Sequence, residues 1–174
     1  MKVFKYILFL LLFSITLSAC SLRGSEEGTS LVRAGNEVFG FLDVPEHFRR
    51  FEVFGESIHF TSDDGENTIS ILYIGNILEE HRAASMGDII INSFDTILEL
   101  GPILTEPHEI LLAGYEAMGF YAIFADGTGA VVWTFLDDNN MLRQISIFAP
   151  LESEAAKNIF ELMTLVETSY NFEN

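Results

Sequence analysis

Cysteine occurs once in the 174 residues, at Cys20. The chain therefore closes no disulfide within itself and builds no thiolate metal site, so whatever folds beyond Cys20 depends on an apolar core. Basic residues are scarce, nine Lys and Arg against 26 Asp and Glu, for a formal net charge of −17. Such a field repels phosphate backbones and anionic lipid headgroups and removes the electrostatic term behind most nonspecific nucleic-acid affinity, so nucleic acid is not an expected partner. The four histidines, His47, His59, His81 and His108, stand at none of the zinc-ligand spacings. Long unbroken apolar runs are missing everywhere except at the start of the chain.

That start has a definite order. Lys2 and Lys5 precede an apolar run over residues 7–17, interrupted by Ser14 and Thr16 and closing on Leu17-Ser18-Ala19-Cys20. A basic beginning, an apolar stretch and small residues at its end are the three parts of an export signal. Leu17 three before the cysteine, with Ser18 and Ala19 between, resembles the lipobox of bacterial lipoproteins. The resemblance implies that the Cys20 thiol takes a diacylglycerol thioether and that the mature chain begins at Cys20, lipid-anchored in a cell membrane and facing outside the cytoplasm. A simply cleaved signal and an uncleaved anchor are the alternatives. An anchor that spans the bilayer needs about 20 apolar residues, and residues 3–19 fall short of that.

The expected organisation is a signal over 1–19, the lipidated cysteine and a flexible spacer over 20–35, and one globular domain over 36–174. Residues 21–34 are small and polar without apolar periodicity, and a coil of that length reaches about 20 Å. The folded part is expected to open with an edge-type strand over 37–44 ending at Pro45, then an aromatic-rich loop or short strand around Phe48 to Phe54. Strands over 57–61 and 68–74 flank the polar turn 62–67, which reads as a hairpin. Between Asn76 and Leu100 the period changes to that of a helix, with Ala83, Ile90, Phe94, Ile97 and Leu98 on one side; either Asn76 or Ser85 caps it, and Gly101-Pro102 ends it. Four apolar segments follow, 109–112, 117–125, 130–136 and 142–149, separated by turn residues as in an antiparallel meander. A final helix over 152–170 carries the stripe Ala155, Ile159, Leu162, Met163, Val166 and Tyr170. Several strands are apolar on both faces, so the fold class is α+β: an α/β/α sandwich with a largely antiparallel sheet between two main helices.

Residues with chemical potential have structural readings beside the functional ones. Gly55-Glu56-Ser57-Ile58-His59 has a histidine where a nucleophile elbow needs glycine. The acidic turns 63–67 and 137–140 lack the register and terminal glutamate of an EF-hand, and hairpin turns use the same residue types. Gly127-Thr128-Gly129 lies between strands, with no helix start behind it to hold phosphate. Trp133 and the phenylalanines are expected in the core rather than in a ligand pocket. No catalytic residue, metal ligand or cofactor site is assigned; the lipidation residue Cys20 is the one site the sequence names.

Gly35-Asn36-Glu37-Val38-Phe39-Gly40-Phe41-Leu42-Asp43-Val44-Pro45, the aromatic Phe48, the strand over 58–61 and the turn Leu112-Ala113-Gly114-Tyr115-Glu116-Ala117 together resemble small secreted bacterial lipoproteins of the PsbP and Mog1 superfamily. Phe48 stands where a tryptophan is expected after the proline. The resemblance implies the sandwich fold over most of residues 35–172 and a non-catalytic role. Superfamily members with known roles are accessory proteins, at a photosystem or on a small GTPase, so the expected partners are the membrane, through the lipid on Cys20, and another envelope protein. A small-ligand or divalent-ion-binding lipoprotein is the alternative. No functional residue carries over, because the matching positions are core and turn residues.

Overall fold

In the computed structural model, residues 30–48, 50–76, 82–152 and 157–173 are described. Residues 17–20, which resemble a lipobox, lie outside them. The compact unit runs from Leu31 to Asn174. It opens with a two-stranded antiparallel ribbon, β1 (Leu31–Asn36) and β2 (Gly40–Pro45), joined by the turn at 37–39. The expected spacer therefore ends sooner than its composition suggests: Leu31 to Asn36 pair residue by residue with β2, and it is backbone hydrogen bonding, which composition does not report, that makes them a strand.

Seven strands make the main sheet, all neighbours antiparallel: β3 (Arg50–Phe54), β4 (Ser57–Thr61), β5 (Thr68–Asn76), β9 (Met141–Pro150), β8 (Thr128–Leu136), β7 (Tyr115–Ile123) and β6 (Leu104–Leu112), in that spatial order. Helix α1 (Arg82–Glu99) links β5 to β6, and helix α2 (Ile159–Ser169) follows β9. The expected hairpin is β4–β5, in the register Thr61 to Thr68, and the meander is β6 to β9. The first segment of that meander is longer than expected, reaching back through Pro107, which an edge strand tolerates because one row of its backbone donors is unpaired.

The two faces of the sheet carry different cores. Alternation along β8 sends Val131, Trp133 and Phe135 to one side and Ala130 and Val132 to the other. The first side is the main core, where Ile58, Phe60, Ile69, Ile71, Ile145 and Ile147 of the sheet meet Leu162, Met163 and Val166 of α2 and Leu42 and Val44 of the ribbon. On the second side Ile90, Phe94 and Ile97 of α1 pack on Phe120, Ala122, Ala130 and Val132, with the Phe94 and Phe120 rings edge to face at 5.2 Å. This is the expected sandwich. Leu98, however, is exposed, because α1 rests on the sheet along the narrow seam 90-94-97 and Leu98 points about 100° away from Ile97.

The chain's end fastens the ribbon to α2. Phe41 and Asn171 exchange backbone hydrogen bonds, the Tyr170 hydroxyl donates to the Phe39 carbonyl at 2.8 Å, and Arg33 donates to the Ser169 carbonyl at 2.7 Å. Gly40 makes this closure possible: its φ is +86°, and a Cβ there would lie 2.7 Å from the Tyr170 hydroxyl. Burial raises the Tyr170 pKa well above its ordinary value, so the phenol keeps the proton it donates.

Candidate functional site

The strongest hydroxyl and imidazole grouping lies on the α1 face of the sheet, in β4 and β5. The Ser57 Oγ donates to the Phe54 carbonyl at 3.0 Å, so it accepts from His59 Nε2 at 2.8 Å; that leaves Nδ1 to accept the Ser70 hydroxyl at 2.7 Å. The chain of bonds has a direction, Ser70 to His59 to Ser57 to backbone. It follows from the hairpin register, which sets His59 opposite Ser70; pairing the two expected strands residue by residue would have found it. In a hydrolytic triad one imidazole nitrogen faces the nucleophile and the other a carboxylate that stabilises the imidazolium. Here both nitrogens face serine hydroxyls, and no carboxylate is among the ring's hydrogen-bond partners in the described residues.

The acidic turns use their carboxylates internally. Asp64 accepts from the Ser62 hydroxyl and the Glu66 amide, chiefly the hydroxyl holding its pKa below the ordinary carboxylate value. Asp137 accepts from the Asn139 and Met141 amides and, at 2.9 Å, from Arg143 Nε, the pair being nearly inaccessible to water. Arg143 also donates to the Val38 carbonyl and lies over the Phe172 ring at 4.6 Å, joining the β8–β9 turn, the ribbon turn and the chain's end. Among the described residues no group of three His, Cys, Asp or Glu side chains is placed to hold a metal ion. Trp133 is fully buried, a core residue as expected, but Phe54, Phe148 and Phe160 are exposed, against the expectation for the phenylalanines.

His108, on edge strand β6, packs its ring on Trp133 at 5.6 Å and lies 3.5 Å from Glu167 of α2. Nearby, the Tyr121 hydroxyl donates to Glu106 at 2.8 Å, which raises the phenol's pKa. These contacts tie β6 and β7 to each other and to α2.

Among the described residues the fold leaves apolar surface open along the β6–β7 edge, where Leu111 and Met118 are exposed beside a cleft, and at the C-terminal end of α1. Leu98, Leu100, Ile103 and Leu104 are all exposed, Ile103 the most at 69%. Leu100 also lines a second cleft, of about 470 Å³, together with Gly101, Phe124, Ala125, Asp126, Thr128 and Phe148. Gly101, with φ +72°, turns the chain out of the helix as its amide bonds the Leu98 carbonyl. Asp126 accepts from both the amide and the hydroxyl of Thr128, the hydroxyl chiefly holding its pKa below the ordinary carboxylate value. A surface of exposed aliphatic side chains beside an ionised carboxylate suits binding another molecule. Sequence periodicity places Leu98 on the apolar side of the helix, and so hides this surface.

No protein-family model matches the chain, and no curated protein matches it. Solved structures do match. The solution structure of cyanobacterial PsbP (CyanoP) from Synechocystis sp. PCC 6803 aligns with a TM-score of 0.56 at 12% sequence identity, over 85% of this chain and 95% of that chain. The fold is PsbP-like: two helices and a large antiparallel sheet. Among the described residues no helix is long and apolar enough to cross a membrane.

Proposed function

We propose that this protein is a membrane-anchored extracytoplasmic lipoprotein whose PsbP-like domain acts as a non-catalytic binding or accessory module for another envelope protein. Leu17-Ser18-Ala19-Cys20 at the end of an export-type signal supports the anchor. The observation that carries the binding role is the run of exposed aliphatic side chains Leu98, Leu100, Ile103 and Leu104 at the end of α1, with Leu100 lining an open cleft. Apolar side chains gathered at one place on a soluble surface favour contact with a partner, while the lipid on Cys20 keeps that surface near its target and raises its effective concentration there.

The test of the anchored module compares the native chain with Cys20→Ala in cells fed an alkyne-tagged fatty acid. The native chain takes up the tag, sediments with membranes and co-purifies with an envelope protein; Cys20→Ala takes up no tag. Equal labelling of the two forms, or a native chain found wholly in the soluble fraction, contradicts the anchor. The second reading, a small-ligand or divalent-ion-binding lipoprotein, draws on the same cleft. It predicts a rise in melting temperature of the purified protein with calcium or with apolar small molecules, in the absence of any protein partner.

A further inference from the structure

Helix α1 carries its charges against its own dipole. Its first turn has no acidic residue and its last turn no basic one, while Asp95 and Glu99 sit at the C-terminal end, where the backbone already presents partial negative charge. Such an arrangement weakens an isolated helix, and departures from local rules of this kind are expected at functional or strained sites. The cleft adjoining that end holds a third carboxylate. Both hydrogen bonds from Thr128 fall on Asp126 Oδ1, and the carboxylate is exposed to solvent.

We propose that this end of the domain is a docking site for a segment of a partner protein in which an apolar side chain lies next to a Lys or Arg. The apolar side chain enters the cleft against Phe124, Phe148 and Leu100, and the cation meets Asp126 Oδ2, Glu99 and the negative end of α1. This rests on the accessory-module reading and gives the partner its chemistry. Charge decides among the possible occupants. Anionic lipid headgroups and phosphate backbones are repelled by these carboxylates. A second copy of the chain carries the same strong negative charge, −17 in formal units, and is repelled as a whole. A basic and apolar protein segment satisfies both halves of the site.

The experiment places a photo-crosslinking amino acid in the full-length lipoprotein, in living cells, at Ile103 in one strain, at Val53 in a second and at Leu111 in a third; all three positions are exposed. The expected result is an adduct from Ile103 with an envelope protein, whose cross-linked peptide on mass spectrometry contains Lys or Arg within a residue or two of an aliphatic or aromatic side chain. Adding Glu99→Gln and Asp126→Asn lowers the Ile103 adduct roughly fivefold, as for the loss of two partly exposed ion pairs. Asn at 126 keeps the oxygen that the Thr128 turn needs, so an unchanged melting temperature shows that the charge was responsible. Protein adducts from Val53 or Leu111 but not Ile103 overturn the docking site and leave the accessory reading standing. Adducts from no position overturn both. An Ile103 adduct to lipid, to a second copy, or to a peptide without a cation overturns the proposed partner, as does an adduct indifferent to the charge variants.

Discussion

Arg143 and Asp137 show how much one pair of side chains can hold in place. Both are buried, and Arg143 reaches the β8–β9 turn, the carbonyl of Val38 and the ring of Phe172. Removing one member of such a pair leaves an uncompensated buried charge, so Arg143→Met is expected to cost about 3–5 kcal/mol, measured as the change in urea unfolding free energy. A cost below about 1 kcal/mol would mean that water reaches Asp137. Asp64 gives a pH-dependent case. Its folded pKa is held below the ordinary 3.8, mainly by the Ser62 hydroxyl, so its contribution to stability is complete above that value and is lost as pH falls through the lower folded one. Native protein should therefore exceed Asp64→Asn in stability at pH 6, with the gap closing as unfolding is followed toward pH 3. A gap constant with pH would assign the difference to geometry rather than ionisation. The Asp64 turn lies within the polar stretch that the sequence marks as a hairpin turn, whereas the Arg143 network was not legible, since Asp137 with Arg143 and Arg143 with Val38 are joined by strand register and by packing of the chain's end.

Elements with strong local signals were legible, and those that depend on distant partners were not. The closing helix was marked by Leu162, Met163 and Val166 at helical spacing, all of which the structure buries, and the β4–β5 hairpin by its polar turn. The start of α2 is set by a capping box: Asn158 accepts from the Glu161 amide, and Glu161 accepts from the Asn158 amide. The apolar stripe extended the expected helix back to 152, because periodicity does not register a cap. Asn158→Ala should cost about 1 kcal/mol, read from thermal or urea unfolding; no measurable change would show that packing alone fixes the helix start. At the β6–β7 hairpin the two-residue turn Ala113-Gly114 has φ of +51° and +89°, a left-handed turn in which a Cβ is unfavourable at the first position unless the side chain is Asn or Asp. Ala113→Asn is expected to stabilise the protein by roughly 0.5–1 kcal/mol, and a loss of stability would mean that Ala113 is held by contacts beyond the turn. Strand β1 and the exposure of Leu98 escaped the sequence reading for one reason: each is decided by what lies opposite, the ribbon partner β2 in one case and solvent in the other.

At the scale of the whole molecule, an acidic chain with a single cysteine builds a sheet buried on both sides and closes it with backbone and aromatic contacts at the C-terminus. The sandwich was legible because strands apolar on both faces require two covering layers. The candidate binding surface was not, because an exposed leucine at the end of an amphipathic helix looks like one more core residue until the sheet's width is known. In the proposed function a lipid at Cys20 would hold the PsbP-like domain at the membrane and leave the open apolar and acidic surface at the end of α1 for a partner. The central claim is that the anchored domain works by binding another envelope protein. The most direct measurement is chemical cross-linking in living cells, followed by purification and mass spectrometry, of the native chain beside Cys20→Ala. The account predicts one envelope protein enriched with the native chain and lost or strongly reduced with Cys20→Ala at equal expression. Recovery of no partner from either form, with both forms folded and abundant, would contradict it.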